Sequence, residues 1–428
     1  MLRYIILTLI FFTAIEAQQF SIKNFSLSSS DMINIQSDEV NGLNPALPNF
    51  NQNGNYYISF IPVALNNSFL MDYKEKQFDN AELMLTKKTI NDMINMADYG
   101  WKWREKYRAS IFSMGFYNQS ISISTNSMAT LNLPVDLLKV LRGYDYNKEY
   151  GFNDFGLEIL HYISFEYSYS FDLSTLFDPQ KIGLNRASLG IGARVLYSPR
   201  YYSAESLSGS LTINDENSSN PGTINLDTQV EIFNSFGGIG KGFDFGFAGE
   251  VNESFKIGAS LTNLFASIYF NTDNKTRRHG LIVNDYLDYT EFDSDSIITS
   301  TEIDEKVKED KRTVSLPVKF SLAFSYDYIT ENNCFTITSS YIQGFEDRLD
   351  ISSIPQINIG VEYSYIDHDW IKLRQGFSFG GNERTAFASG LNFNFSYYEI
   401  DLAVAYQLFG ESSEFRTTGL SLSQKFKF

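Results

Sequence analysis

The sequence predicts an all-β chain: a transmembrane antiparallel β-barrel of about 14 strands, with short helices in its loops and an N-terminal plug-like segment. Three observations carry this reading. Aromatic residues make up 16% of the 428, with 37 Phe and 27 Tyr against 9 Pro, a balance that suits long pleated strands. Several stretches alternate strictly between apolar and polar side chains, which places the two kinds on opposite faces of a strand. No stretch beyond the N-terminus is long and apolar enough for a membrane-spanning helix, and the mean hydropathy is −0.21.

Taken from the N-terminus, residues 1–17 read as a secretory signal peptide. Arg3 precedes an uncharged apolar run from Tyr4 to Ile15, and cleavage is expected near the small residue Ala17. That run falls short of the roughly 20 residues that a spanning helix needs. Residues 18–55 are polar and rich in Ser and Asn, and are expected to plug or underlie a barrel formed by residues 56–428. A 14-stranded wall encloses more space than small inward side chains can fill.

The alternation is clearest from Gly156 to Asp172. Leu157, Ile159, His161, Ile163, Phe165, Tyr167, Tyr169 and Phe171 share one face, and Glu158, Ser164, Glu166, Ser168, Ser170 and Asp172 share the other. Such a strand is about three times the globular norm of roughly 5 to 6 residues. Phe320 to Tyr328, Ile357 to Tyr365 and Phe387 to Tyr397 repeat the pattern. Long strands with aromatic residues crowding toward their ends favour a membrane barrel over a soluble sandwich.

Outer-membrane barrels alternate short periplasmic turns with long outer loops. Short turns are expected at Asn118-Gln119, Asn252 to Ser254, Thr330 to Asn333, Ile366 to Asp369 and Tyr397 to Glu399, with Leu173 to Asn185 as a longer one. Outer loops are expected at Asn66 to Lys106, Asn132 to Phe155, Tyr202 to Gly240, Asn271 to Arg312 and Gly344 to Pro355. Ser206 to Asn214 and Thr223 to Phe233 would break the parity as separate spanning strands, so they read as a hairpin within an outer loop. Two helices interrupt the β pattern, one around Ile90, Met93, Ile94 and Ala97, the other opened by Pro134 and carrying Val135, Leu138 and Leu141. The last strand alternates Leu420, Leu422, Phe426 and Phe428, which looks like the signal read by barrel-insertion machinery, although Ser423 stands where Gly is usual.

Asn44-Pro45-Ala46 before the first strand resembles the plug turn of the FadL-like long-chain fatty-acid transporters. Leu133-Pro134-Val135-Asp136-Leu137-Leu138-Lys139 with Gly143, Gly190-Ile191-Gly192-Ala193-Arg194-Val195, Gly242-Phe243-Asp244-Phe245-Gly246 and Gly258-Ala259-Ser260-Leu261-Thr262-Asn263-Leu264 follow in order. That succession resembles an uncharacterised Bacteroidota outer-membrane barrel family related in architecture to FadL. The resemblance implies an outer-membrane location in a Gram-negative cell, a 14-stranded barrel, and passage of a small hydrophobic molecule. A second function fits the same resemblance: a non-transporting scaffold that docks secreted or surface proteins, like the fourteen-stranded shuttle of type IX secretion.

The composition narrows the partners. A net charge of −17 repels nucleic acid, and the single Cys334 excludes a disulfide framework and any multi-cysteine metal site. Only His161, His279 and His368 offer an imidazole; none is placed for a triad, and His368 sits between Asp367 and Asp369 in an expected tight turn. Gly237-Gly238-Ile239-Gly240 precedes a strand and not a helix, which removes a phosphate cradle. No enzyme activity, cofactor or metal is therefore expected. The expected partners are membrane lipid, the insertion machinery, and a small hydrophobic ligand or a surface protein. Inward charges are expected at Glu158, Glu166, Arg194, Asp244, Glu250, Asp327, Glu362, Lys372, Arg374 and Asp401. They read as pairs across the interior, or as an acidic path that prefers cations and neutral ligands.

Overall fold

In a computed structural model the described residues are 26–34, 42–50, 57–60, 63–66 and, with brief interruptions, 101–286, 300–307 and 311–427. The expected signal peptide, the helix around Ile90 to Ala97 and the His368 turn lie outside them.

Antiparallel strands dominate. In chain order they are β1 (Tyr57–Phe60), β2 (Val63–Asn66), β3 (Trp101–Phe116), β4 (Gln119–Leu133), β5 (Lys148–Gly151), β6 (Gly156–Asp172) and β7 (Arg186–Ile213). Next come β8 (Thr223–Asn252), β9 (Phe255–Phe270), β10 (Lys275–Tyr286), β11 (Ser300–Val307), β12 (Arg312–Ser315) and β13 (Lys319–Ile329). The series ends with β14 (Asn333–Gly344), β15 (Gln356–Tyr365), β16 (Ile371–Gly380), β17 (Arg384–Phe395), β18 (Tyr398–Phe409) and β19 (Glu414–Lys427). Helices are short: α1 (Leu47–Phe50) and α2 (Val135–Arg142), the latter entered through Pro134 as its sequence predicts.

Pairing follows chain order. β3 pairs with β4, β4 with β6, β6 with β7, β7 with β8 and β8 with β9. β9 then pairs with β12 and β13, and the meander runs on from β13 to β19. β19 pairs with both β1 and β2, and those two pair with β3. The short connections fall where the turn residues predict: β3 to β4 at Tyr117-Asn118, β8 to β9 at Glu253-Ser254, and β13 to β14 at Thr330 to Asn332. Between β6 and β7 the chain makes two single 3-10 turns, at Leu173–Thr175 and Pro179–Ile182, capped by the side chains of Asp172 and Asp178.

Ser206 to Asn214 and Thr223 to Phe233 do pair as a hairpin, with Ile213 opposite Ile224, and it is continuous with β7 and β8, strands of 28 and 30 residues. One sequence expectation changes: Asn271 to Arg312 is not a simple loop, because β10 pairs along the extended part of β8 and β11 pairs along β10. Its acidic composition conceals enough β-branched and apolar positions, Thr276, Ile282, Val283 and Ile303 among them, to support a ladder.

Burial inverts the usual order of polar and apolar. On β6, Phe165 is 47% exposed while Glu166 is 2% exposed, and Ser164, Ser168 and Ser170 are buried between exposed Tyr167 and Tyr169. β7 repeats this with exposed Ile191, Val195 and Tyr197 against buried Arg194, and β8 with exposed Phe243 and Phe245 against buried Asp244. A pleated strand can present its polar side chains inward only when something other than its own apolar face fills the interior. Here the filler is the N-terminal segment together with a set of apolar side chains that break the parity.

Candidate functional site

Starting from the short-turn end, the interior is layered. Arg374 on β16 is 3% exposed, and its Nε donates to Glu362 Oε2 of β15 at 2.6 Å while Nη1 donates to Asp401 of β18. Lys372 Nζ lies 3.5 Å from Glu362, and Asn392 donates to both Asp401 and Glu399. Nearby, Asp327 accepts from Thr336 Oγ1 at 2.7 Å and sits 3.6 Å from Lys256, which also donates to Asn34 at 3.1 Å. Glu250 is half-buried, in register with Arg186 and Lys256 on its two neighbouring strands.

Above these charges lies the N-terminal segment, packed against the inward face. Asn44 donates to the Phe247 carbonyl at 3.0 Å and accepts from the Ala46 amide at 3.0 Å, an Asx turn that fixes Pro45 against the wall. Ser188 Oγ donates to the Ala46 carbonyl at 3.0 Å, and Ser340 Oγ to the Ser29 carbonyl at 2.7 Å. The wall is hollowed to admit these backbones. A Cβ at Gly190 would overlap the Pro45 carbonyl, one at Gly246 the Asn44 side chain, and one at Gly376 the Leu27 backbone. Met32, Ile33, Leu43, Ala46, Leu47 and Phe50 then form an apolar cluster with wall residues Ala248 and Ala323. Gly376→Val is therefore expected to displace residues 27–28. A disulfide between cysteines placed at Ser29 and Ser340, read on non-reducing gels, should form readily in the parent and at least about fivefold more slowly in the valine variant.

The next layer crosses a break in the wall. Arg194 on β7 and Asp244 on β8 form a buried ion pair, and Glu166 accepts from Ser164 at 2.7 Å alongside it. Asp244 also accepts from the Asn263 amide at 2.8 Å. Asn263 and Phe265 take positive φ, 64° and 52°, which for side chains of this size is strained backbone. Over this stretch the β8–β9 register shifts twice, and Phe265 turns outward at 80% exposure. On the other side of β9, Asn263 Nδ2 donates to the Pro317 carbonyl at 2.8 Å. A carboxylate with a guanidinium beside it thus holds a bulge at which Leu264 alone stays in register with β8 and Ala266 accepts a single main-chain bond from Leu316.

Toward the long-loop end, apolar residues occupy the inward face: Met128, Leu160, Tyr162, Leu196, Tyr201, Phe233, Ala266, Ile268, Phe270, Val314 and Leu316, joined by Leu349. Tyr201 packs on Phe270 with ring centroids 5.5 Å apart, and Arg312 lies 4.4 Å over the Phe233 ring. Leu349 comes from the segment between β14 and β15 with φ of 52°, and its carbonyl accepts from Thr130 Oγ1 at 3.3 Å. Next to it, Arg348 grips Glu158 with two donors, Nη2 at 2.6 Å and Nε at 3.2 Å, and Tyr201 donates to the same carboxylate at 3.0 Å. Burial alone would weaken the hold of Arg348 on its proton, but the Glu158 carboxylate more than reverses this, so the guanidinium stays charged. The result is a packed apolar cluster with a strained leucine seated in it and an ion pair fastening the strap that carries the leucine.

The structure thus groups the ten charges named from sequence into separate sets: Glu158 at the strap, Glu166, Arg194 and Asp244 at the bulge, Glu362, Lys372, Arg374 and Asp401 near the short turns, with Asp327 and Glu250 apart. Asn44, Pro45 and Ala46 meet the wall at Gly190 and Gly246. Sequence reasoning missed this apolar cluster, because Leu160, Tyr162 and Leu196 share the parity of the polar face. Their only signal is an apolar residue where the alternation calls for a small polar one. Among the described residues no group of three or more His, Cys, Asp or Glu side chains could hold a metal ion.

Comparison with known proteins adds the following. A family model described as a family of unknown function, DUF5723, matches residues 45–426. No curated protein matches the sequence. Among solved structures the chain is similar to the CymD monoaromatic hydrocarbon channel at 9% identity and a TM-score of 0.44, covering 97% of this chain and 98% of that one. It is similar to the Pseudomonas putida toluene transporter TodX at 9% identity and a TM-score of 0.43, covering 96% and 98%. A Pseudomonas aeruginosa FadL homologue gives 12% identity and a TM-score of 0.43, covering 96% and 98%.

Proposed function

The chain belongs to the DUF5723 family, and we propose that it is an outer-membrane β-barrel that takes a small hydrophobic molecule in among the buried apolar side chains of its interior and passes it across the membrane. In this reading β1 with β2 and β12 with β13 each act as one stave. The pairings then close into about 14 staves, while β5, β10 and β11 stand outside the ring. The inverted faces support the membrane: a belt that includes Phe165, Val195, Tyr197, Phe243 and Phe245 is far larger an apolar exposure than water tolerates, and hydrocarbon removes the cost.

The single observation that carries transport is this cluster of buried apolar side chains on an otherwise polar inward face. The N-terminal segment lies on one side of it, the Arg348–Glu158 strap covers it on the other, and Ala266 and Ile268 bring it to the bulge in the wall. An apolar solute gains about 25 cal/mol per Å² on leaving water for such side chains. The test is binding of an environment-sensitive naphthalene fluorophore to the purified full chain in detergent. Ile268→Glu should weaken binding at least about tenfold, equivalent to roughly 1.4 kcal/mol, while the heat-modifiable gel band persists. Equal binding by the variant and the parent would overturn the cluster as the ligand site. Arg348→Ala, which frees the strap, should instead raise the fluorophore association rate several-fold in stopped flow, with little change in equilibrium binding.

A further inference from the structure

The outward face carries cations that the interior does not explain. On β8 the exposed side chains run Phe245, Phe243, Lys241 and Ile239, so Lys241 interrupts an apolar series. In register it faces Val195 on β7 and Ser267 on β9, with no carboxylate on either side. Tyr197 pairs with Ile239 one outward row closer to the long-loop end, and beyond that row Arg200 pairs with Phe236, whose ring its guanidinium covers at 5.7 Å. Lys275 and Arg277 on β10 continue the column; each is exposed, and they pair with Asn234 and Ile232 of β8. Among the described residues none of these four side chains forms an ion pair, whereas the interior charges of Arg194, Arg348 and Arg374 are all matched. The first carboxylate in the column is Asp304 on β11, opposite His279, farther out.

We propose that Lys241, Arg200, Lys275 and Arg277 bind the phosphate groups of anionic lipids packed against the barrel at the long-loop edge of its apolar belt. The proposal rests on the membrane reading above. Lys241 lies one row inside the belt, where a lysine extends its apolar stem along hydrocarbon and delivers its ammonium to the headgroup level. Arg200, beyond the Tyr197 row, offers planar paired donors that suit a phosphate. A cluster of four exposed cations without ion pairs on this outward face complements an anionic lipid headgroup. Each cation near an anionic membrane surface contributes about a fivefold preference.

The test uses the full chain reconstituted in phosphatidylcholine vesicles doped with phosphatidylglycerol, and counts by native mass spectrometry the lipids retained after the bilayer is removed. The parent should retain phosphatidylglycerol at least about fivefold above its bulk fraction. The variant Arg200→Gln, Lys241→Gln, Lys275→Gln, Arg277→Gln should retain it near the bulk fraction while still showing a heat-modifiable band. Inorganic phosphate added to the detergent-solubilised parent should not displace the bound lipid at millimolar concentration; displacement would assign the cations to a free anion and overturn the lipid proposal. Equal retention by parent and variant would overturn it as well. A parent that does not enter the vesicles would overturn the membrane reading first, a failure distinguished by the protein remaining in the supernatant.

Discussion

Arg374→Met is expected to destabilise the folded chain by about 3 to 5 kcal/mol, the usual cost of leaving buried partners without their counter-charge. Arg374 is fully matched in place, with Glu362 on one side and Asp401 on the other, and both carboxylates are almost wholly enclosed. Methionine fills much of the same volume but satisfies neither acid. Lys372, 3.5 Å from Glu362, compensates only one of the two. Urea titration in detergent, followed by the loss of the fast-migrating form on unheated gels, measures the effect. Adding Glu362→Gln and Asp401→Asn to the methionine variant should recover most of the loss, because the penalty is uncompensated charge and not missing volume. A single variant within about 1 kcal/mol of the parent would mean that water reaches this cluster freely.

Phe165→Arg is expected to cost about 2 to 4 kcal/mol, the range for a cation near the middle of a bilayer. Phe165 is 47% exposed on the outward face of β6, flanked by exposed Tyr167 and, across β7, by Val195. The comparison that identifies the cause is Ser164→Ala on the inward face. That change removes a hydrogen bond to Glu166 at 2.7 Å and one shared with Ser124 at 2.8 Å, for about 1 kcal/mol each. A soluble sandwich would instead hide Phe165 in its core, so the parent protein supplies the deciding measurement. It should stay in the membrane pellet after carbonate washing, and recovery in the soluble fraction would overturn the outward assignment of Phe165.

Much of the scaffold was legible in the residues because a strand writes its two faces into the sequence with a period of two. The run from Ile163 to Ser170 assigns its own sides, and the turn residues at Asn118, Asn252 and Asn333 locate the connections to within a residue or two. The Asx-Pro turn at Asn44-Pro45 was legible as a turn, since Asn accepts from the amide two residues on wherever it occurs. What the turn touches was not. Gly190, Gly246 and Gly376 are ordinary strand glycines in the sequence, and only the structure shows that each leaves room for a backbone brought in from the N-terminus.

The remaining differences have the same origin. The extension of β7 and β8 was legible as a hairpin, but β10 and β11 looked like a loop because their composition is polar, and a ladder made of main-chain hydrogen bonds tolerates that composition wherever β8 supplies a partner. The apolar cluster was hidden because Leu160, Leu196 and Phe233 come from three strands, and nothing local records that they converge. Local pattern alone showed where the long alternating strands run, which face most of their side chains take and where the short turns fall, all properties of neighbours along the chain. Tertiary structure alone decided which charges are matched, where the wall breaks at Asn263 to Ala266, and that Leu349 closes over an apolar interior. Those depend on contacts between residues as far as 219 positions apart, such as Thr130 and Leu349, and no periodicity encodes a contact that exists only once the strands have paired.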